Sequence, residues 1–187
     1  DDIKARAAEA VKSIEARTSA EVVLSVQARS GDYTHADYLV GFALSLVTLV
    51  AMLYLPQEFP LETFPFGSAL SFLLGALACR SVPPLRRALA GRASRERHVR
   101  TAARAAFVDL GVSRTRGRTG VLVFVSLLER QVEVVPDTGV DSAALGPEWT
   151  QALAGLNTAL AHSARPEPFL QALRALTPPL ERVLPRS

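Results

Sequence analysis

Eighteen consecutive residues, Tyr38 to Leu55, carry no charge and stop at Pro56. As a helix rising 1.5 Å per residue they span about 27 Å, close to the hydrocarbon thickness of a bilayer. Pro56-Gln-Glu-Phe-Pro60 and Phe64-Pro65 form a turn region, and a second uncharged run of sixteen residues follows, Phe64 to Cys79. Alone it spans about 24 Å, but Leu61 on one side and a snorkelling Arg80 on the other lengthen it. Two such runs joined by a short turn predict a transmembrane helical hairpin over 36–82, the alternative being a buried hairpin in a soluble core. Gly67, Ser71 and Gly75 recur at every fourth position, as do Gly41 and Ser45 in the first run. That spacing lets two helices approach closely in lipid. Small residues beyond those one helix pair needs, with the polar Thr48, are expected to face other transmembrane helices.

On either side of the hairpin the chain reads as globular. Ile3, Ala7, Ala10, Val11 and Ile14 share one face of a helix, with Lys4, Arg6, Glu9, Lys12 and Glu15 largely off it. Glu21 to Ala28 reads as a short buried strand ended by Ser30-Gly31-Asp32. Beyond the hairpin, Pro83-Pro84 breaks the chain. Ser94 to Leu110 then places Val99, Ala102, Ala103, Ala106, Phe107 and Leu110 on one stripe, with Gly111 as the stop. Gly120 to Leu128 reads as a central strand buried on both sides. Glu129-Arg130 is a tight turn into an alternating strand, Gln131 to Val135, and two helical stretches close the chain, Pro147 to His162 and Pro168 to Leu184. A strand, a crossover helix and a second strand favour a parallel pair, and the short turn adds an antiparallel neighbour. The predicted fold is therefore α/β: a small α/β/α sandwich, residues 1–31 and 83–187, interrupted by the hairpin. The hairpin leaves from the end of the first strand, so that edge of the sheet is expected to face the bilayer.

Charge supports this placement. Lysine and arginine total 21 against 18 acids, and only Lys4 and Lys12 are lysine. Residues 80 to 118 hold eleven arginines against Glu96 and Asp109 alone. Arg80, Arg86, Arg87, Arg92, Arg95 and Arg97 lie close after the second span, where the positive-inside rule counts them, and the hairpin turn has two Glu and no Lys or Arg. These six arginines are assigned to anionic headgroups, with the α/β domain cytoplasmic and the turn outside. Nucleic acid explains less, because no aromatics interleave with the basic run.

Catalytic chemistry finds little footing. His35, His98 and His162 are far apart, and the single cysteine, Cys79, lies at the end of an apolar helix as a packing residue. Gly117-Arg-Thr119 echoes a phosphate loop, but the Lys is missing and a strand follows, not a helix. Asp137 and Asp141 are candidates for a hard cation. Two acids in a loop read more simply as solvated turn residues, since calcium takes six to eight oxygens. No catalytic residue and no cofactor are expected.

Several segments carry a family resemblance. Glu21-Val-Val-Leu-Ser-Val26 resembles the opening strand of a TPM domain. Ala102 to Gly111 is similar to that family's helix ending in glycine, and Arg116 to Val125 to its "Gly-Val-Leu" central strand. Glu129-Arg-Gln-Val-Glu-Val134 is similar to its hairpin of the form acid–Arg–x–Val–x–Val. Asp137-Thr-Gly-Val140, with Trp149 further on, resembles the continuation. A hairpin inserted after the first strand looks like a bacterial membrane subgroup. The resemblance implies a sheet sandwiched by helices, with weak phosphatase action and calcium binding through acids at one sheet edge, where Asp137 and Asp141 would fall. Residues and resemblance together lead to one expectation: a non-enzymatic, membrane-anchored scaffold or accessory subunit in a bacterial cytoplasmic membrane. Its expected partners are the bilayer and other transmembrane subunits, with self-association open and nucleic acid disfavoured. The alternatives are a weakly phosphatase-active or cation-binding TPM-type domain, and an anionic-lipid or nucleic-acid binder using the arginines.

Overall fold

In the computed structural model, which describes residues 2–57, 59–163 and 165–186, the chain is mixed α/β. In order it forms α1 (Asp2–Glu15), β1 (Glu21–Gln27), α2 (Thr34–Tyr54), α3 (Thr63–Ser81), α4 (Pro83–Leu89) and α5 (Arg92–Asp109). A 3-10 turn at Val112–Arg114 leads to β2 (Gly120–Ser126), β3 (Gln131–Pro136), α6 (Gly146–His162), α7 (Pro166–Arg174) and α8 (Thr177–Val183). The chain divides into two compact units, Asp1–Ser30 with Glu96–Ser187, and Gly31–Arg95.

The first unit is built on a three-stranded sheet of order β1-β2-β3. β1 and β2 are parallel, in register from Glu21 opposite Gly120 to Gln27 opposite Ser126. β2 and β3 are antiparallel, from Val121 opposite Pro136 to Ser126 opposite Gln131. The alternation of strand side chains divides β2 between two cores. Val121, Val123 and Val125 join Val22 and Val132 under Ile14 of α1, Leu156 of α6, Leu173 of α7 and Leu180 of α8. Leu122 and Phe124 point the other way, against Val99, Ala103 and Ala106 of α5 and Val112. β2 is buried at every position, as its unbroken apolar run predicts. Gly111, at φ +65, supplies the left-handed residue that stops the α5 segment.

Five local expectations need correction. β1 is not a buried strand but the sheet edge, and only Val22 in it is fully buried. β2 stops at Ser126 rather than Leu128: Leu127 donates the last ladder bond to Gln27, and Leu128, donating to Ala28, departs from the alternation and leads into a four-residue connection. Pro83-Pro84 starts α4 rather than breaking the chain. Proline tolerates the first helical turn, where its missing N–H has no partner to lose. By the same rule Pro178-Pro179 splits the last predicted helix into α7 and α8, and Pro65 lies inside the first turn of α3, not in a loop.

The second unit consists of α2 and α3 side by side, followed by α4. Both long helices are apolar along most of their length, so neither has the polar outer face of a surface helix.

Candidate functional site

The hairpin is polar inside and apolar outside. Near its base the Cys79 thiol approaches the Ala36 carbonyl at 3.6 Å, and Arg86 Nη2 of α4 donates to Asp37 Oδ2 of α2 at 2.9 Å. One turn further, α2 and α3 touch backbone to backbone. A Cβ added at Gly75 would lie 2.9 Å from both the Gly41 Cα and the Val40 carbonyl. At mid-helix Thr48 donates to Ser71 across the pair at 2.8 Å. Towards the tip, Met52 fills the space over Gly67, leaving 3.1 Å from its sulfur to an added Cβ. The outer surface is Leu39, Phe42, Leu46, Val47 and Leu53 on α2, and Phe66, Leu70, Leu73, Leu74 and Leu77 on α3, all exposed.

Gly41, Gly67, Ser71 and Gly75 therefore lie in the seam between α2 and α3, with Ser45 half-buried beside them. The expectation that spare small residues and Thr48 face other subunits does not fit this geometry, because Thr48 and Gly75 are used within the hairpin. Asp37 was missed by the sequence reading, which began the span one residue later at Tyr38. The signal was present: one acid at the edge of an uncharged run, and an arginine cluster beyond it to supply a counter-ion.

The arginines separate by environment. Arg86 is 7 % exposed and bound to Asp37, so its assignment to a headgroup is corrected. Arg80, Arg92 and Arg97 are exposed, while Arg87 and Arg95 are half-buried, the latter with its Nε donating to the Gly91 carbonyl. Within the α/β unit, Arg114, Arg116 and Arg118 lie in the segment leading into β2. That is the opposite end of the parallel strands from Ser30, where the chain leaves this unit.

The two candidate acids have different surroundings. Asp137 is not an exposed turn residue. It is 5 % exposed, its Oδ1 accepts the Thr138 N–H at 2.7 Å and faces Arg118 at 3.8 Å, and its Oδ2 is buried without a hydrogen-bond partner. Asp141 is exposed, and its Oδ1 accepts the N–H groups of Ala143 and Ala144, an Asx turn. Among the described residues no three of His, Cys, Asp and Glu converge. One buried carboxylate held by its own turn and by an arginine does not fit the oxygen cage of calcium.

A further buried acid, Glu129, lies in the connection between β2 and β3. Glu129 accepts the Ser30 N–H at 3.0 Å through Oε1 and the Ser126 hydroxyl through Oε2, and Ser30 Oγ donates to Ser126 Oγ at 2.6 Å. This cluster closes the carboxyl ends of β1 and β2. Its sequence signal was an acid three residues past an apolar strand that ends in serine, where a buried carboxylate needs hydroxyl and backbone donors.

No family model matches the chain, and no curated protein sequence matches it. Its fold is similar to the NMR structure of the BA42 protein from the psychrophilic bacterium Bizionia argentinensis sp. nov.. The TM-score is 0.54 at 12 % identity, over 98 % of this chain and 81 % of that one. At that identity the likeness concerns the backbone architecture alone.

Proposed function

We propose that this chain is a membrane-anchored α/β protein whose hairpin, Thr34 to Ser81, spans the bilayer. The observation that carries the reading is the inverted polarity of the hairpin. Soluble core helices of this length are mostly buried, whereas here 17 % of the α2 apolar window and 11 % of the α3 window are buried inside the protein. The hydroxyl, thiol and ion-pair groups point inward and the leucines outward, which suits hydrocarbon as the surrounding solvent. Both termini are assigned to the cytoplasmic side of a bacterial inner membrane and the 56–62 turn to the outside, on the arginine asymmetry.

The role that follows is a scaffold or accessory subunit of a membrane assembly, with TPM kinship part of the same proposal. The support is how the polar groups are used: Asp37 on Arg86, Glu129 on two serines, Asp141 on its own turn. Each is occupied in holding structure, which leaves a folded platform as the simplest product. A cysteine at Gln57, in a Cys79→Ala background, tests the topology. It is expected to react with an impermeant thiol reagent in intact cells, and labelling only after lysis overturns the orientation. Release of the protein by alkaline carbonate overturns the anchor itself.

A further inference from the structure

β1 is one of the two edge strands of the sheet, and its backbone groups divide strictly by parity. Glu21 donates its N–H to the Thr119 carbonyl at 3.2 Å, and the Gln27 carbonyl accepts the Leu127 N–H at 3.0 Å. In a parallel ladder this assigns the odd residues Glu21, Val23, Ser25 and Gln27 to β2 and turns Val22, Leu24 and Val26 outward. Of these three, Val22 has its N–H accepted by Glu15 Oε1 at 3.0 Å. Leu24 and Val26 have no backbone partner among the described residues.

Exposed edges are normally protected by Lys, Pro, a bulge or an inward charge. Glu21 to Ala28 contains no Lys and no Pro, and every residue of β1 pairs with β2 in continuous register. Val26 is 56 % exposed, and it lies in an apolar groove of about 210 Å³ with Ile3, Leu127 and Phe169. Water satisfies these groups while the edge stands open, and among macromolecular occupants a strand is the one that pairs with them along the whole edge.

We propose that this strand is β1 of a second copy, paired antiparallel with Leu24 opposite Leu24 of its twin, so that two three-stranded sheets join into one of six. The parity permits it, because the outward residues of both copies then oppose one another as hydrogen-bonded pairs. Leu24 pairs reciprocally with Leu24, and the Val26 N–H donates to the Val22 carbonyl of the twin, leaving the Glu15 cap in place. The charges favour the antiparallel sense. Glu21 begins the strand and Arg29 follows its end, so each Glu21 comes opposite the Gln27 of the twin and diagonal to its Arg29, within reach of a long side chain. A parallel pairing would set like charges side by side. This inference is independent of the membrane reading.

Cross-linking of the full chain in whole-cell lysate, membranes included, tests it. In this register the two Leu24 Cα atoms lie about 5.5 Å apart, inside the range a disulfide bridges. Leu24→Cys in a Cys79→Ala background is expected to give a disulfide-linked dimer under mild oxidation. Adding Val26→Pro is expected to abolish it, because that N–H takes no part in the β2 ladder. Absence of the cross-link, or its persistence with Val26→Pro, overturns the pairing. Should Leu24→Cys disturb folding, the mass of the purified full-length chain is the second readout. The expected result is a dimer without edge substitutions and a monomer with Val26→Pro, at unchanged helical circular dichroism. A monomer without edge substitutions, which an unrelated partner strand would leave, overturns it equally.

Discussion

Arg86 Nη2 donates to Asp37 Oδ2 at 2.9 Å, and each residue is under a tenth exposed. The bond joins the first turn of α2 to the last turn of α4, so it closes the base of the hairpin unit across forty-nine positions of chain. Asp37 Oδ1 and Arg86 Nε remain without partners, which makes this a costly pair to break and an incompletely compensated one to keep. Arg86→Ala, which leaves a buried carboxylate alone, is expected to destabilise the solubilised protein by about 3–5 kcal/mol. Asp37→Leu combined with Arg86→Met is expected to recover most of that loss. Thermal unfolding in detergent of both variants beside the unsubstituted chain checks both.

Gly75→Leu is expected to separate α2 from α3, because the new side chain begins where the Gly41 Cα and the Val40 carbonyl already are. Overpacking of this kind costs about 1–3 kcal/mol or more where backbone cannot yield. Cysteines placed at Thr48 and Ser71, whose hydroxyls are bonded, report the separation as lost disulfide formation. Gly155 in α6 is the contrast, since an added Cβ meets nothing within 4 Å. Gly155→Ala is expected to stabilise by about 0.5–1 kcal/mol through helix propensity.

Arg6 of α1 donates to Glu167 of α7 at 2.8 Å. That hydrogen bond holds the Glu167 carboxyl below its ordinary value and raises Arg6 above its own. A carboxylate with a depressed folded value contributes stability above its unfolded pKa and loses it as pH falls through the folded one. The difference in melting temperature between the unsubstituted chain and Glu167→Gln is therefore expected to be largest at neutral pH and to vanish in acid. Because the pair is solvent-exposed, the difference is expected to be small and to shrink with salt.

Calcium at millimolar concentration is expected to leave the melting temperature unchanged. Asp141 is committed to its own turn, and Asp137 has an arginine where a cation would need further oxygens. A saturable upward shift that disappears in Asp137→Asn would reinstate the cation site the TPM resemblance implies.

What could be read beforehand followed from period and composition. The all-apolar run from Val121 to Val125 read as a strand buried on both faces, and the order strand, helix, strand, short turn, strand favoured one parallel and one antiparallel pairing, as found. The Gly and Ser spacing marked the close-approach face of the hairpin but not which partner met it, since one helix surface looks the same whether its neighbour is in the same chain or another. Arg86 could not be told from Arg80 or Arg92, because burial of one cation depends on an acid forty-nine residues away. Glu129 was hidden for the same reason: its donors, Ser30 and Ser126, are ninety-nine and three residues distant. Asp137, beside a tight turn, was indistinguishable in sequence from a solvated loop acid.

The insertion of the hairpin between β1 and β2 also sets a timetable for the ribosome. β1 emerges first, and its ladder partner is about ninety residues behind it, on the order of 5–20 s at ordinary elongation rates. Throughout that interval both edges of β1 are bare, and the next segments to emerge are the two apolar helices. The sheet can close only after those helices have been made and dealt with, so completion of the α/β unit reports that hairpin synthesis is finished. A chain stalled or cut within α3 would display an unpaired valine-rich strand, a ready template for pairing with another unfinished chain.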